Sequence, residues 1–80
     1  AEEEEIANDI ESVEAGGEQE GPIKDLLEKI EQKIEDKKID VKRLFKKYGR
    51  KIKRFMRNLK RNGRFPQRFK KVETACQEFS

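Results

Sequence analysis

Seven bases, Lys46, Lys47, Arg50, Lys51, Lys53, Arg54 and Arg57, are interleaved with six apolar or aromatic residues, Phe45, Tyr48, Ile52, Phe55, Met56 and Leu59. Ammonium and guanidinium groups at this density have one obvious chemistry, which is recognition of phosphate, sulfate or carboxylate. The chain has no His and a single Cys, Cys76. A zinc site, a Ser-His-Asp triad and an intrachain disulfide framework therefore cannot be assembled from its side chains. The expectation is a non-catalytic protein without cofactor or metal.

A helix must position these residues, and its wheel sorts them completely. At about 100° per residue from Val41, the residues Leu44, Phe45, Tyr48, Ile52, Phe55, Met56 and Leu59 fall within about 60° either side. The bases Lys42, Arg43, Lys46, Lys47, Arg50, Lys51, Lys53, Arg54, Arg57, Lys60 and Arg61 take the rest of the circumference. Gly49 lies on the boundary and costs roughly 1 kcal/mol of helix propensity, a soft point. The same phase runs backwards through Ile23, Leu26, Leu27, Ile30 and Ile34, where the polar side is mixed in charge. It fails at residues 36–40, where Ile39 falls on the polar side and Asp40 is placed to cap a second helix. Either one hinged helix or two consecutive helices, about 22–36 and 40–62, follows from the pattern.

Charge divides the chain in the same way. Residues 1–21 hold nine acids and no base, whereas residues 42–71 hold fifteen bases and no acid, within a net charge of +3. Such asymmetry points to nucleic-acid or membrane interaction, or to an acidic segment shielding a basic one. Gly16-Gly17 and Gly21-Pro22 read as linker punctuation, and Pro22 suits a first helical turn. Asn62-Gly63 followed by Phe65-Pro66 reads as a helix stop. The expected organisation is a flexible acidic arm over 1–21, an amphipathic helical region over 22–62 that is basic from 42, and a loose tail over 63–80. Ile6, Ile10 and Val13 share one face of the arm, enough for a fraying helix at best.

With 32% apolar and 46% charged residues, the chain is expected to bury little surface and to be largely unstructured when free. No run of about 18 uncharged apolar residues occurs, so a spanning helix is not expected. The start Ala1-Glu2-Glu3, without Met, fits a secreted chain after loss of a targeting peptide, although a trimmed chain begins the same way. Cys76 reads as a free or blocked thiol, with a disulfide-linked dimer as the other option.

An interfacial helix combines a large apolar moment, a basic polar face and aromatic or aliphatic residues opposite, and residues 41–61 supply all three. The bases would meet lipid phosphates while Phe45, Tyr48, Ile52, Phe55, Met56 and Leu59 insert. The spacing of Val41, Phe45, Tyr48, Ile52, Phe55 and Leu59 is equally a heptad seam, so an ordinary bundle face is the plain alternative. A binding protein or inhibitor acting on a host macromolecule, heparin or nucleic acid is the other class. For nucleic acid, the aromatics lie opposite the bases and cannot readily form a stacking platform. The acidic residues 1–21 are placed to mask the basic helix within the same chain. Tyr48-Gly49-Arg50-Lys51 has the form of an amidation and dibasic cleavage site, but a cut there would split the amphipathic segment.

Phe45-Lys46-Lys47, Lys51-Ile52-Lys53-Arg54-Phe55 and Phe55-Met56-Arg57-Asn58-Leu59 resemble linear cationic host-defence peptides and are similar in texture to the active helices of cathelicidins. Precursors of such peptides carry an acidic prosegment, which residues 1–21 resemble. The resemblance implies an antimicrobial, innate-immunity role through disruption of microbial membranes and binding of lipopolysaccharide. On the insertion reading, joint replacement Ile52→Asp and Phe55→Asp is expected to abolish leakage of anionic vesicles, and continued leakage would contradict it.

Overall fold

The heptad seam is filled by the chain's own segments. The structure, a computed structural model, describes residues 2–13 and 20–79. Among these, four α-helices and a 3₁₀ turn follow in order: α1 (Glu2–Ser12), α2 (Glu20–Glu35), α3 (Val41–Arg61), the 3₁₀ turn Gln67–Phe69 and α4 (Lys70–Phe79). All regular structure in the described residues is helical, as the periodicity predicts. The number of helices is not, because α1 and α4 stand where an arm and a tail are expected.

The central pair forms for the reasons legible in the sequence. Asp40 caps α3, its carboxylate accepting the N–H of Arg43 at 3.0 Å, which satisfies one of the donors a helix start leaves open. At the other end Gly63 has φ +69°, its N–H bonds to Lys60 O at 3.1 Å, and the Arg64 N–H bonds to Leu59 O at 2.8 Å. That is a Schellman closure. The same closure ends α2, with Lys37 N–H on Ile34 O and Lys38 N–H on Lys33 O, both at 3.1 Å. Here the left-handed position is held by Lys37 at φ +56°. The turn resets the helical phase, so α2 and α3 are two helices rather than one with a hinge. Ile39, which the unbroken phase puts on the polar side, instead packs half-buried against the core.

The core joins all four helices. Ile6 and Ile10 of α1, Ile23, Leu26, Leu27 and Ile30 of α2, Leu44, Phe45, Ile52, Phe55, Met56 and Leu59 of α3, and Phe69, Val72, Ala75 and Cys76 form one cluster. No large hydrophobic side chain is exposed among the described residues. The chain has few apolar residues, but among the described residues almost none is spent on the surface, so more is buried than the composition suggests. Its radius of gyration, 11.3 Å, matches the about 11.6 Å of a compact chain this long.

The loose tail over 63–80 is likewise replaced by order. Phe69 sits edge-to-face on Phe65, with centroids 6.0 Å apart, and the Lys60 ammonium lies 4.9 Å over the Phe65 ring. Across the bundle, the Glu31 carboxylate of α2 accepts the Val72 N–H near the start of α4 at 3.2 Å. Lys60 pairs with Glu73, and Arg68 with Glu28 at 3.0 Å. Cys76 is buried in the core. Of the acidic arm, Glu2–Ser12 is helix; residues 14–19 of it, with Gly16-Gly17, lie outside the described residues.

Lys37 bears the steric cost of the left-handed conformation on a side chain with a Cβ, about 1–2 kcal/mol less what glycine loses in the unfolded chain. Lys37→Gly is therefore expected to stabilise the fold by about 0.5–1 kcal/mol, raising the thermal midpoint by about 2–8 °C. A lowered midpoint in a calorimetric scan would contradict that account of the turn.

Candidate anionic-surface binding face

Burial splits the residues singled out above into two sets. Lys46, Lys47, Arg50, Lys53, Arg54 and Arg57 project outward from α3 and are exposed, with Lys51 half-buried at its edge. Lys46, Arg50, Lys53 and Arg57 follow one another at i, i+4, i+7 and i+11, a row about 16 Å long. No ion pair joins Lys46, Arg50, Lys53, Arg54 or Arg57 to another described residue. Like charges at this spacing repel by a few tenths of a kcal/mol per pair. Burial of the opposite side of α3 holds them together, and a polyvalent anion laid across the row would relieve the repulsion.

The apolar set lies on the far side of the same helix. Phe45, Ile52, Phe55 and Leu59 are 0% exposed and Met56 is 5% exposed; Tyr48 is half-buried. In the closed bundle these residues are core, so insertion into a bilayer requires the bundle to open. The Ile52→Asp and Phe55→Asp pair is thus a folding lesion before it is an insertion lesion, since it places two unpaired carboxylates in the interior. Gly49, the supposed soft point, is buried inside an unbroken helix.

The acids of α1 are aimed elsewhere than at the basic row. Lys29 of α2 bonds Glu5 at 2.7 Å and Asp9 at 2.8 Å, and Lys33 bonds Glu2 at 2.5 Å. Glu3 lies 3.6 Å from Arg43, and Tyr48 donates its phenol proton to Glu11 at 2.8 Å. The Lys51 ammonium reaches the Glu11 carbonyl at 3.4 Å. So α1 covers the Leu44–Tyr48 edge of the apolar stripe with Ile6 and Ile10 and leaves the basic row bare. The cations that accept α1, namely Lys29, Lys33, Lys38 and Arg43, are not legible as a set in the sequence, because partners 20 to 40 residues apart leave no local signal. Between α1 and α3 runs an open cleft of ≈ 300 Å³ lined by Glu3, Glu4, Ala7, Arg43, Leu44, Lys47 and Tyr48.

These contacts tune the groups that make them. The hydrogen bond from Lys33 holds the Glu2 carboxyl below its ordinary value. Hydrogen bonds from its ammonium to Asp9 and Glu5 push Lys29 up. The bond to Glu11 stabilises the neutral phenol of Tyr48 and raises it. Desolvation at the α2–α4 contact raises Glu31, against the pull of the Val72 N–H. The two carboxyls thus respond oppositely to acid. No His, Cys, Asp or Glu cluster able to hold a metal ion occurs among the described residues, and no described helix is long and apolar enough to cross a membrane.

No protein-family model, curated protein or solved structure matches the chain.

A carboxyl whose folded value is depressed contributes stability that is present above its unfolded value and is lost as pH falls through the folded one. Glu2→Gln is therefore expected to lower the thermal midpoint near pH 7 and to have a smaller effect near pH 2, as protonation of Glu2 removes its charged contact with Lys33. An equal effect at both pH values would mean that the Lys33 contact does not anchor α1.

Proposed function

We propose that this protein is a non-catalytic, secreted, membrane-active polypeptide that docks on anionic lipid through the outward face of α3 and then perturbs the bilayer with the apolar stripe behind it. The observation that carries the reading is the two-sidedness of α3: five cations without an ion-pair partner among the described residues back directly onto the longest apolar stripe in the chain. Charge and apolar area act together at an interface, and no other element of this chain combines them so fully. Lys46, Lys47, Arg50, Lys51, Lys53, Arg54 and Arg57 meet the phosphates. Phe45, Tyr48, Ile52, Phe55, Met56 and Leu59 follow once the bundle loosens. Host defence against microbes, with lipopolysaccharide as one anionic target, is the biological setting this mechanism fits.

A second reading has an observation of its own. In the closed bundle the stripe is covered, so a partner meets only charge, and charge alone suffices for heparin or nucleic acid. The protein would then be a soluble binder of linear polyanions, acting on a host macromolecule without lipid. Salt separates the two. At about 1 M salt the screening length is roughly 3 Å, and charge-only binding is lost whereas inserted apolar residues hold on.

Flotation with phosphatidylglycerol–phosphatidylcholine vesicles tests the proposal. Joint replacement of Lys46, Arg50, Lys53, Arg54 and Arg57 by Gln is expected to weaken binding by at least about 100-fold, since each base near an anionic leaflet contributes about 1 kcal/mol. The wild-type protein, once bound, is expected to stay with the vesicles at high salt and to release an entrapped dye. Full release at high salt, with no dye leakage, would favour the polyanion reading instead.

A further inference from the structure

The stripe is closed by three helices that differ in how they hold on. The α2 helix contributes Ile23, Leu26, Leu27 and Ile30 to the core, and the C-terminal element contributes Phe69, Val72, Ala75 and Cys76. Only Ile6 and Ile10 of α1 are buried. The rest of its attachment is polar: ion pairs from Glu2 to Lys33 and Lys38, from Glu5 and Asp9 to Lys29 and from Glu3 to Arg43, with hydrogen bonds from Tyr48 and Lys51 to Glu11. Ion pairs at or near the surface are weak and can exchange for other anions. α1 carries acids in its first turn, no base, and the longest uninterrupted run of carboxylates in the chain, Glu2–Glu5.

We infer that α1 is the displaceable cover of the membrane-active stripe, and that an anionic lipid surface is what displaces it; this rests on the membrane reading proposed above. Two effects act in the same direction. Lipid phosphates can replace the carboxylates on Lys29, Lys33 and Arg43, so the cations lose nothing when α1 leaves. The negative surface meanwhile repels α1 itself, whose acids have no cation of their own helix to shield them. A neutral bilayer does neither. What departure of α1 uncovers is the Leu44–Tyr48 edge of α3 together with the α2 residues beneath Ile6 and Ile10. An apolar surface thus opens next to Lys47 and Lys51, on the flank of α3 where α1 had rested, at the moment the row is engaged. The ligand does not need to unfold α4 or α2, so the opening follows the weakest of the three closures.

Tyr48 reports the state of the cover. It is the single tyrosine in a chain without tryptophan, and its phenol is hydrogen-bonded to Glu11 on α1. A carboxylate that accepts the phenol proton quenches tyrosine emission, so release of α1 brightens Tyr48.

A reversible tether tests the inference. Glu2→Cys and Lys33→Cys, in a Cys76→Ala background, place thiols where side chains meet in the folded protein, and a short thiol-cleavable bismaleimide joins them. With phosphatidylglycerol–phosphatidylcholine vesicles, the tethered protein is expected to bind within about two-fold of the untethered one, because the basic row is untouched. Its dye release is expected to fall by about ten-fold or more, with no brightening of Tyr48, and both to return when the linker is cleaved. Ile6→Ala, which loosens the cover without touching the row, is expected to increase leakage at a given dose. Tethered protein that binds and leaks as fast as the cleaved form would overturn the role of α1 while leaving the membrane reading intact. If untethered protein neither retains lipid at high salt nor leaks it, the membrane reading itself fails, and the inference with it.

Discussion

Enclosure of one side of α3 is the interaction on which everything else in this molecule depends. Phe45, Ile52, Phe55 and Leu59 are fully buried, and each such side chain contributes roughly 1.5–3 kcal/mol when removed from water. Against that stands a backbone helix whose other side is a dense array of like charges that would repel one another in isolation. The bundle is the means by which this chain keeps so cationic a helix folded. α2, the C-terminal helix and α1 each add apolar residues to one surface, and none of them has a core apart from it.

The arrangement separates two properties that a free amphipathic peptide shows at once. The charge of α3 is displayed and ready to act at long range, whereas its apolar side is withheld. A protein built this way is protected from self-association through an exposed stripe and still presents the cations of α3 to solvent. The acidic helix is the element that makes the separation asymmetric. It leaves the basic row uncovered and rests on the apolar edge, with its carboxylates turned to Lys29, Lys33 and Arg43. Simple charge neutralisation within the chain would instead have laid those acids across Arg50 and Arg54.

The acid responses of Glu2 and Glu31 fit the same division of labour. Glu2 holds α1 by a hydrogen-bonded pair that acid weakens. Glu31 sits where desolvation favours its protonated form, at the junction of α2 with α4, so the stability it contributes is full at low pH and falls as pH rises through its raised value. Acid therefore weakens the Glu2 contact of α1 and does not weaken the Glu31 contact between α2 and α4.

Helical periodicity, a local property, made α2 and α3 readable from the residues alone. The stripe from Leu44 to Leu59, the Asp40 cap and the stop at Asn62-Gly63 each involve neighbours within four or five positions, and so does the partition of α3 into a cationic and an apolar side. The C-terminal helix had a faint local signal in the spacing of Phe69, Val72, Cys76 and Phe79, obscured by the Phe65-Pro66 break and by its shortness. α1 had almost none, because nine acids without a base in residues 1–21 favour an extended chain until cations from another segment arrive. Those cations, Lys29, Lys33 and Arg43, lie 20 or more residues away from the acids they meet. Only the tertiary structure could decide whether the stripe faces lipid or faces its own chain, since an apolar side chain leaves water equally well for either and the sequence of α3 does not state which apolar surface is within reach.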